Sequence, residues 1–335
     1  MGRVLAVDPL RPSPAALAEA VGILRAGGLV AFPTETVYGL GADALDSSAV
    51  LRVFAAKGRP LGHPLIAHVE SEAHARTLAR VWPELASRLS AAFWPGPLTL
   101  VVEGAPHVPP AISGGGGSIA VRAPAHRVAL ALIEAFGGPL AAPSANRHQE
   151  LSPTLASHVV GQLGDAVDLV LDAGPCATGI ESTVVDVRGR TARVLRPGAL
   201  SLGQLREVVP DLEACVEVAP AEGERASPGM GARHYAPRAP LRIADTLEAA
   251  QVIARELSSD GVRVGLIADR GSSFAWPDGV VVRILGPSPA DYARLLYATL
   301  HELDESGVRA IVVVRVPEDD AWAAIADRLR RGAAL

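Results

Sequence analysis

Apolar positions recur with a helical period over AALAEAVGILRAGG, where Ser13 and Pro14 are placed as N-cap and first-turn residues and Gly27 and Gly28 mark the end. An extended apolar run, LVAFPT, follows, and the two patterns then alternate. SSAVLRVFAAK, EAHARTLARV and HRVALALIEAF predict helices, whereas PLIAHV, LTLVVE, SIAVRAP, PLAAPSAN, DLVLDAG, STVVDVRG and ARVLRPG predict short strands. Several of these strands are joined by connections too short for a helical crossover, so their sheet is expected to be mixed. From about residue 210 to 240 the periods vanish into EVAPAEGERASPGMGARHYAPRAP, rich in Pro, Gly and Ala, which reads as a linker. Beyond it LRIAD, TLEAAQVIARELSSDG, VRVGLIAD, VVVRILG, SPADYARLLYATLHELDESG and VRAIVVVRV predict a small parallel, Rossmann-like α/β domain. The expected organisation is an α/β chain: a domain over 1–208 with a twisted mixed sheet, a Pro/Gly-rich linker over 209–240, and a smaller domain over 241–335.

Composition narrows the classes of function. With 335 residues, 49% of them hydrophobic, there is enough apolar surface for two cores, and a net charge of −5 argues against coating a polyanion by bulk electrostatics. Any anion must be met by a local pocket. Two cysteines, Cys176 and Cys215, with no CxxC pair offer neither a disulfide framework nor a cysteine-rich zinc site. No signal-peptide core or long apolar run is present, so a cytoplasmic protein is expected. Lys57 is the only lysine in the chain, all other Lys and Arg positions being arginine. One reading is a cation at a helix C-terminus; the other is a niche that takes a compact ammonium and not a planar fork.

Single motifs say little. There is no GxxxxGK[ST] loop and no HExxH; GLGAD lacks a third glycine and reads as a turn, and SGGGG at 113–117 reads as a loop before a strand. His63 and His68 would face opposite sides of an extended segment, and no metal site is predicted. More telling is the placement of polar and basic residues at the ends of apolar strands: Thr34 and Thr36, Arg122, Ser144 and Asn146, Ser182 and Thr183, and Arg196. Strand ends are where open α/β sheets bind ligands, and with Lys57 and Arg59 these residues propose a pocket with four cations for a ligand of several negative charges.

PTETVYGLG, KGRPLGHPLIAHV, FWPGPLTLV, SIAVRAP, AAPSAN, GIESTVVDV and LRPG stand in the order and spacing of the YrdC-like threonylcarbamoyl-AMP synthases, which residues 12–208 resemble. SPGMGARHYAP and the C-terminal part are similar to the long, two-domain form. The resemblance implies a nucleotidyltransferase that condenses L-threonine, bicarbonate or CO2, and ATP to threonylcarbamoyl-AMP and pyrophosphate. The product would pass to a tRNA-threonylcarbamoyl transferase machinery acting at tRNA position 37, with direct tRNA binding weak at most. It further implies Lys57 and Arg59 as catalytic phosphate contacts, and Thr36, His68, Arg122, Ala142 and Ser182 around threonine. His63, Ser118, Ser144, Asn146, Ser152, Arg196, His234 and Tyr235 would serve ATP with Lys57 and Arg59, and Mg2+ would arrive with the nucleotide. Family members often carry Thr at the position of Ser118, and the preceding glycine run is unusual. The linker would fold over the site as a lid. No general base stands out. Two other readings remain: an RNA-binding or ribosome-maturation module, disfavoured by 4% aromatic content and negative charge, and hydrogenase-maturation carbamoyl chemistry, whose zinc motifs two cysteines cannot supply.

Overall fold

The computed structural model describes residues 2–214, 234–258, 262–271 and 276–334. They form two compact units. Residues 215–233, the core of the expected lid, lie outside the described residues.

The larger unit runs from β1 (Arg3–Ala6) and α1 (Pro14–Arg25) through β2 (Val30–Phe32), β3 (Gly39–Asp43), α2 (Ser47–Lys57), β4 (Ile66–His68), α3 (Glu72–Leu78) and α4 (Glu84–Phe93). It continues with β5 (Leu98–Glu103), α5 (Pro110–Ser113), β6 (Ser118–Arg122), α6 (Arg127–Phe136), β7 (Leu140–Ala141), α7 (Ala156–Leu163), β8 (Leu169–Asp172), β9 (Thr183–Asp186), β10 (Arg193–Arg196) and α8 (Leu202–Val208). The ten strands share one sheet in the order β1-β8-β2-β3-β7-β4-β6-β5-β9-β10. Pairings are of both kinds: β4 lies parallel to β6, whereas β5 runs antiparallel to β6 and β7 antiparallel to β4. The sheet is therefore mixed, and both its faces are covered. On β2, Val30 and Phe32 join a core with Leu24 of α1 and Leu132 of α6, while the alternate Ala31 joins Val53 and Phe54 of α2 in the other.

Local signals set the helix ends. The Ser13 hydroxyl accepts the Ala16 N–H at 3.2 Å to cap α1, with Pro14 in its first turn. Asp46 caps α2 through the Ser48 N–H, and Gly58 ends it in the left-handed region, φ 60°, where a side chain would be strained. That stop is what leaves Lys57 and Arg59 on either side of a sharp turn.

Two expectations change. GLGAD is not a turn but the buried strand β3, and its glycines answer a packing need: a Cβ on Gly41 would lie 2.7 Å from the Phe32 ring. The start of the expected linker belongs to the larger unit, because Val209 and Leu212 join its core and the Glu213 N–H donates to Ala192 O at 2.9 Å.

The smaller unit consists of β11 (Leu241–Ala244), α9 (Leu247–Leu257), β12 (Val264–Ala268), β13 (Val280–Ile284), α10 (Pro289–Glu305), β14 (Ala310–Val314) and α11 (Ala323–Ala333). Its four strands, ordered β11-β14-β12-β13, are all parallel, giving the Rossmann-like α/β arrangement. Residues 149–151 and 178–180 pack with this unit, the Ala236 N–H donating to Gln149 O at 3.0 Å. Among the described residues no helix is long and apolar enough to cross a membrane.

Candidate active site

The β2–β3 turn opens the site. Thr34 Oγ1 donates to Val37 O (2.6 Å) and accepts the Thr36 and Val37 N–H groups at 3.2 Å each, a hydroxyl-closed turn. With that proton committed, Thr36 Oγ1, 2.9 Å away, donates to Thr34 Oγ1 and keeps its lone pairs for Arg122, whose Nη1 donates to it at 2.9 Å. Arg122 ends β6; its Nε donates to Gly96 O at 3.3 Å and its Nη2 lies 2.7 Å from a Glu35 carboxylate oxygen, both side chains being buried. The arginine is thus held on three sides.

The parallel register places His68 of β4 directly beside Arg122. Burial, and after it the Arg122 charge, push the His68 imidazole down to about 3, so it is neutral at physiological pH. Its Nδ1 faces Ile66 O at 3.3 Å and donates there, which leaves Nε2 as an acceptor for a hydroxyl. Ala142, just past β7, donates its N–H to Ile66 O at 3.0 Å, so it sits on the neighbouring edge of the same strand.

Ser182 precedes β9, and its hydroxyl meets that of Thr99 on β5 at 2.8 Å. Arg196, ending β10, donates from Nη2 to Ser182 O at 2.9 Å and to Ser182 Oγ at 3.3 Å. The approach depends on Gly198, where a Cβ would collide with the main chain of Ser182 and Thr183. A third group forms where α2 ends. The Lys57 ammonium donates to Ser144 O, to Asn146 O (2.5 Å) and to Asn146 Oδ1 (3.1 Å), while Ser144 Oγ also donates to Asn146 Oδ1 (2.5 Å).

The remaining expected residues are distributed around these groups. Arg59 Nη2 donates to Pro64 O at 3.2 Å, and Ser152 Oγ donates to Glu181 Oε1 at 2.5 Å. Ser118 begins the strand that Arg122 ends, so the two stand about 13 Å apart at ~3.3 Å per residue. His63 lies in a turn ahead of β4, not on the strand, its ring 5.3 Å from that of His148. His234 and Tyr235 belong to the smaller unit, where the Tyr235 ring lies beneath the Arg328 guanidinium at 4.7 Å and 6.0 Å from Tyr297. Sequence reasoning passed over Glu35, Glu181 and Thr99. The one clue to Glu35 was its place between two threonines at a strand end.

A buried arginine with hydroxyls and a neutral imidazole at the ends of mixed-sheet strands is suited in charge and shape to a small carboxylate with polar side groups. Comparison with known proteins makes the class specific. Residues 22–198 match the Sua5/YciO/YrdC family, which carries the description telomere recombination, and residues 200–334 match the C-terminal domain of threonylcarbamoyl-AMP synthase. The threonylcarbamoyl-AMP synthase of Pyrococcus abyssi is 40% identical over 318 residues, covering 93% of this chain and 92% of its own length. That of Bacillus subtilis is 36% identical over 329 residues, covering 97% and 95%. The crystal structure of P. abyssi Sua5 complexed with L-threonine superposes with a TM-score of 0.90 at 39% identity, over 98% of this chain and 97% of that one. The chain belongs to the Sua5/YciO/YrdC family. Within it, the second match makes it a member of the long form that carries an added C-terminal domain.

Proposed function

We propose that this chain is an L-threonylcarbamoyl-AMP synthase, condensing L-threonine, bicarbonate or CO2, and ATP to threonylcarbamoyl-AMP and pyrophosphate. The observation that carries the reading is the buried Arg122 group, Thr36 and Glu35 on one side and His68 beside it, in a fold that matches a threonine-bound relative over nearly its whole length. Arg122 takes the threonine carboxylate, as a planar guanidinium suits a planar carboxylate. His68 Nε2 and the Ser182 hydroxyl read the threonine hydroxyl, with Ala142 lining the same side.

The carbamate oxygen attacks the α-phosphorus; that O–P bond forms as the bond to the pyrophosphate oxygen breaks. Two anions must meet, so neutralisation and alignment are the main demands on the protein. Arg59 and Arg196 supply positive charge, and Ser118, Ser144, Asn146, Ser152 and His63 supply polar contacts toward the nucleotide. Lys57, with its three N–H groups directed at the 144–146 segment, holds that segment in shape beside the phosphates. The roles of His234 and Tyr235 rest on the SPGMGARHYAP resemblance. Mg2+ would enter on the triphosphate, held chiefly by phosphate oxygens. The product serves N6-threonylcarbamoyladenosine formation at tRNA position 37 in the cytoplasm, passed to the transferase machinery and without tight tRNA binding by this chain.

The test is incubation of the purified chain with ATP, L-threonine and bicarbonate, with pyrophosphate release and adenylate mass followed together. A product mass that requires all three substrates is expected. Pyrophosphate release independent of threonine would sink the reading.

A further inference from the structure

The turn that carries Thr36 also carries a carboxylate to which the reading above gives no task. Glu35 is 7% exposed, and among the described residues neither of its carboxylate oxygens receives a hydrogen bond, although both are shut off from solvent. Arg122 Nη2 lies 2.7 Å away but off hydrogen-bond alignment, so the contact is ionic only. A carboxylate buried in this way is costly unless donors come from elsewhere, and an incoming ligand is the natural source. The pair also has a shape. A cation and an anion side by side mirror the adjacent carboxylate and ammonium of an α-amino acid, so a bound zwitterion converts one ion pair into two crossed ones with no net charge buried.

Resting on the threonine reading of this site, we propose that Glu35 binds the α-ammonium group of threonine and accepts a proton from it. The N–H bond breaks, its electron pair stays on nitrogen, and the proton moves to a Glu35 oxygen. The neutral amine then attacks the carbon of CO2; the N–C bond forms, one C=O pair moves to oxygen, and a second N–H proton leaves to water, giving the carbamate. Glu35 returns its own proton to solvent before the next turnover. The titratable groups around Glu35 are Arg122, His126 at the start of α6, and Cys176. Burial pushes the Cys176 thiol up, so it keeps its proton near pH 7.5, and pushes the His126 imidazole down, which weakens it as a base.

The experiment combines Glu35→Gln with a ligand comparison on the unaltered chain. Threonine binding to the unaltered chain by calorimetry comes first, since failure to bind would remove the threonine reading itself, whatever Glu35 does. Given binding, the deaminated analogue 3-hydroxybutanoate, which keeps the carboxylate and hydroxyl, is expected to bind at least tenfold more weakly than threonine. Equal affinity overturns the proposal, and this arm does not depend on any variant folding. For folded E35Q, threonine-dependent pyrophosphate release at pH 7 is expected to fall about 100-fold or more. The loss should shrink as pH rises and free amine accumulates in solution. A deficit that stays constant with pH would make Glu35 a positioning group for Arg122 alone, and near-normal turnover would give it no role; either result overturns the proposal.

Discussion

Lys57 and Arg122 are both buried cations of the larger unit, one ending a helix and the other ending a strand, and they are used in opposite ways. Arg122 faces a carboxylate on a side chain, which a ligand's carboxylate can replace without disturbing the backbone. Lys57 grips main-chain carbonyls of Ser144 and Asn146, so whatever displaces it reshapes the segment. From sequence the two looked alike, as members of one cationic pocket. The difference teaches that a buried charge is assigned by the partner it already holds: a mobile partner marks a place for substrate, and a backbone partner marks a clamp.

The sharpest way to break this contrast is Arg122→Met, which leaves Glu35 buried without a counter-charge. Removing one partner of such a pair costs about 3–5 kcal/mol of stability. Threonine-dependent turnover should fall at least 100-fold, the scale of a lost charge contact. Denaturant unfolding and pyrophosphate release measure the two effects, and a second change, Glu35→Gln, should restore stability without restoring turnover. A single R122M chain as stable as the parent would show that the ion pair is not what holds the turn.

Lys57→Arg tests the clamp. Three oxygens converging on one ammonium suit a compact point charge, and a planar guanidinium cannot direct its donors to all three at once. The expected loss is about 2–4 kcal/mol in transition-state stabilisation, roughly 30- to 1000-fold in rate. It should appear in the ATP dependence while threonine affinity stays near normal. An equal loss in both would merge the two groups into one.

The effect smallest at neutral pH, and confined to the acid range, concerns His68. Its folded pKa of about 3 lies below the ordinary value of 6.5, so the unfolded chain binds a proton that the folded chain refuses. The stability this contributes is complete above pH 6.5 and is lost as pH falls toward 3, at about 1.4 kcal/mol per pH unit per proton. His68→Gln should flatten the acid side of a stability-against-pH curve measured in denaturant. An unchanged acid limb would assign the loss to His74 or His126, whose imidazoles burial also pushes down.

Much of this was legible beforehand, and the reasons are local. SSAVLRVFAAK is α2 from its first residue to its last, because a capping Asp46 and a left-handed Gly58 bracket one helical period. Arg122, Thr36, Ser182 and Arg196 stood at strand ends, where the pattern change itself is the signal. β3 was hidden because its glycines imitate a turn, and only the Phe32 ring packed over Gly41 explains them. Residues 209–213 looked like linker because their two buried apolar positions, Val209 and Leu212, are separated by Pro210 and Asp211 and are too few to show a period. Glu35 carried only its place between two threonines: its meaning comes from a pairing across 87 positions, which no local period encodes.

Thr36, His68, Arg122 and Ser182 are 0, 3, 4 and 1% exposed. A receptor whose recognition groups are this shielded is a timed device as well as a selective one. On the proposed reading, threonine would reach Arg122 only when this shell parts, and the apparent affinity would be the intrinsic one scaled by the fraction of time spent open. On the threonine reading, the same closure would retain a carbamate that otherwise decomposes in water.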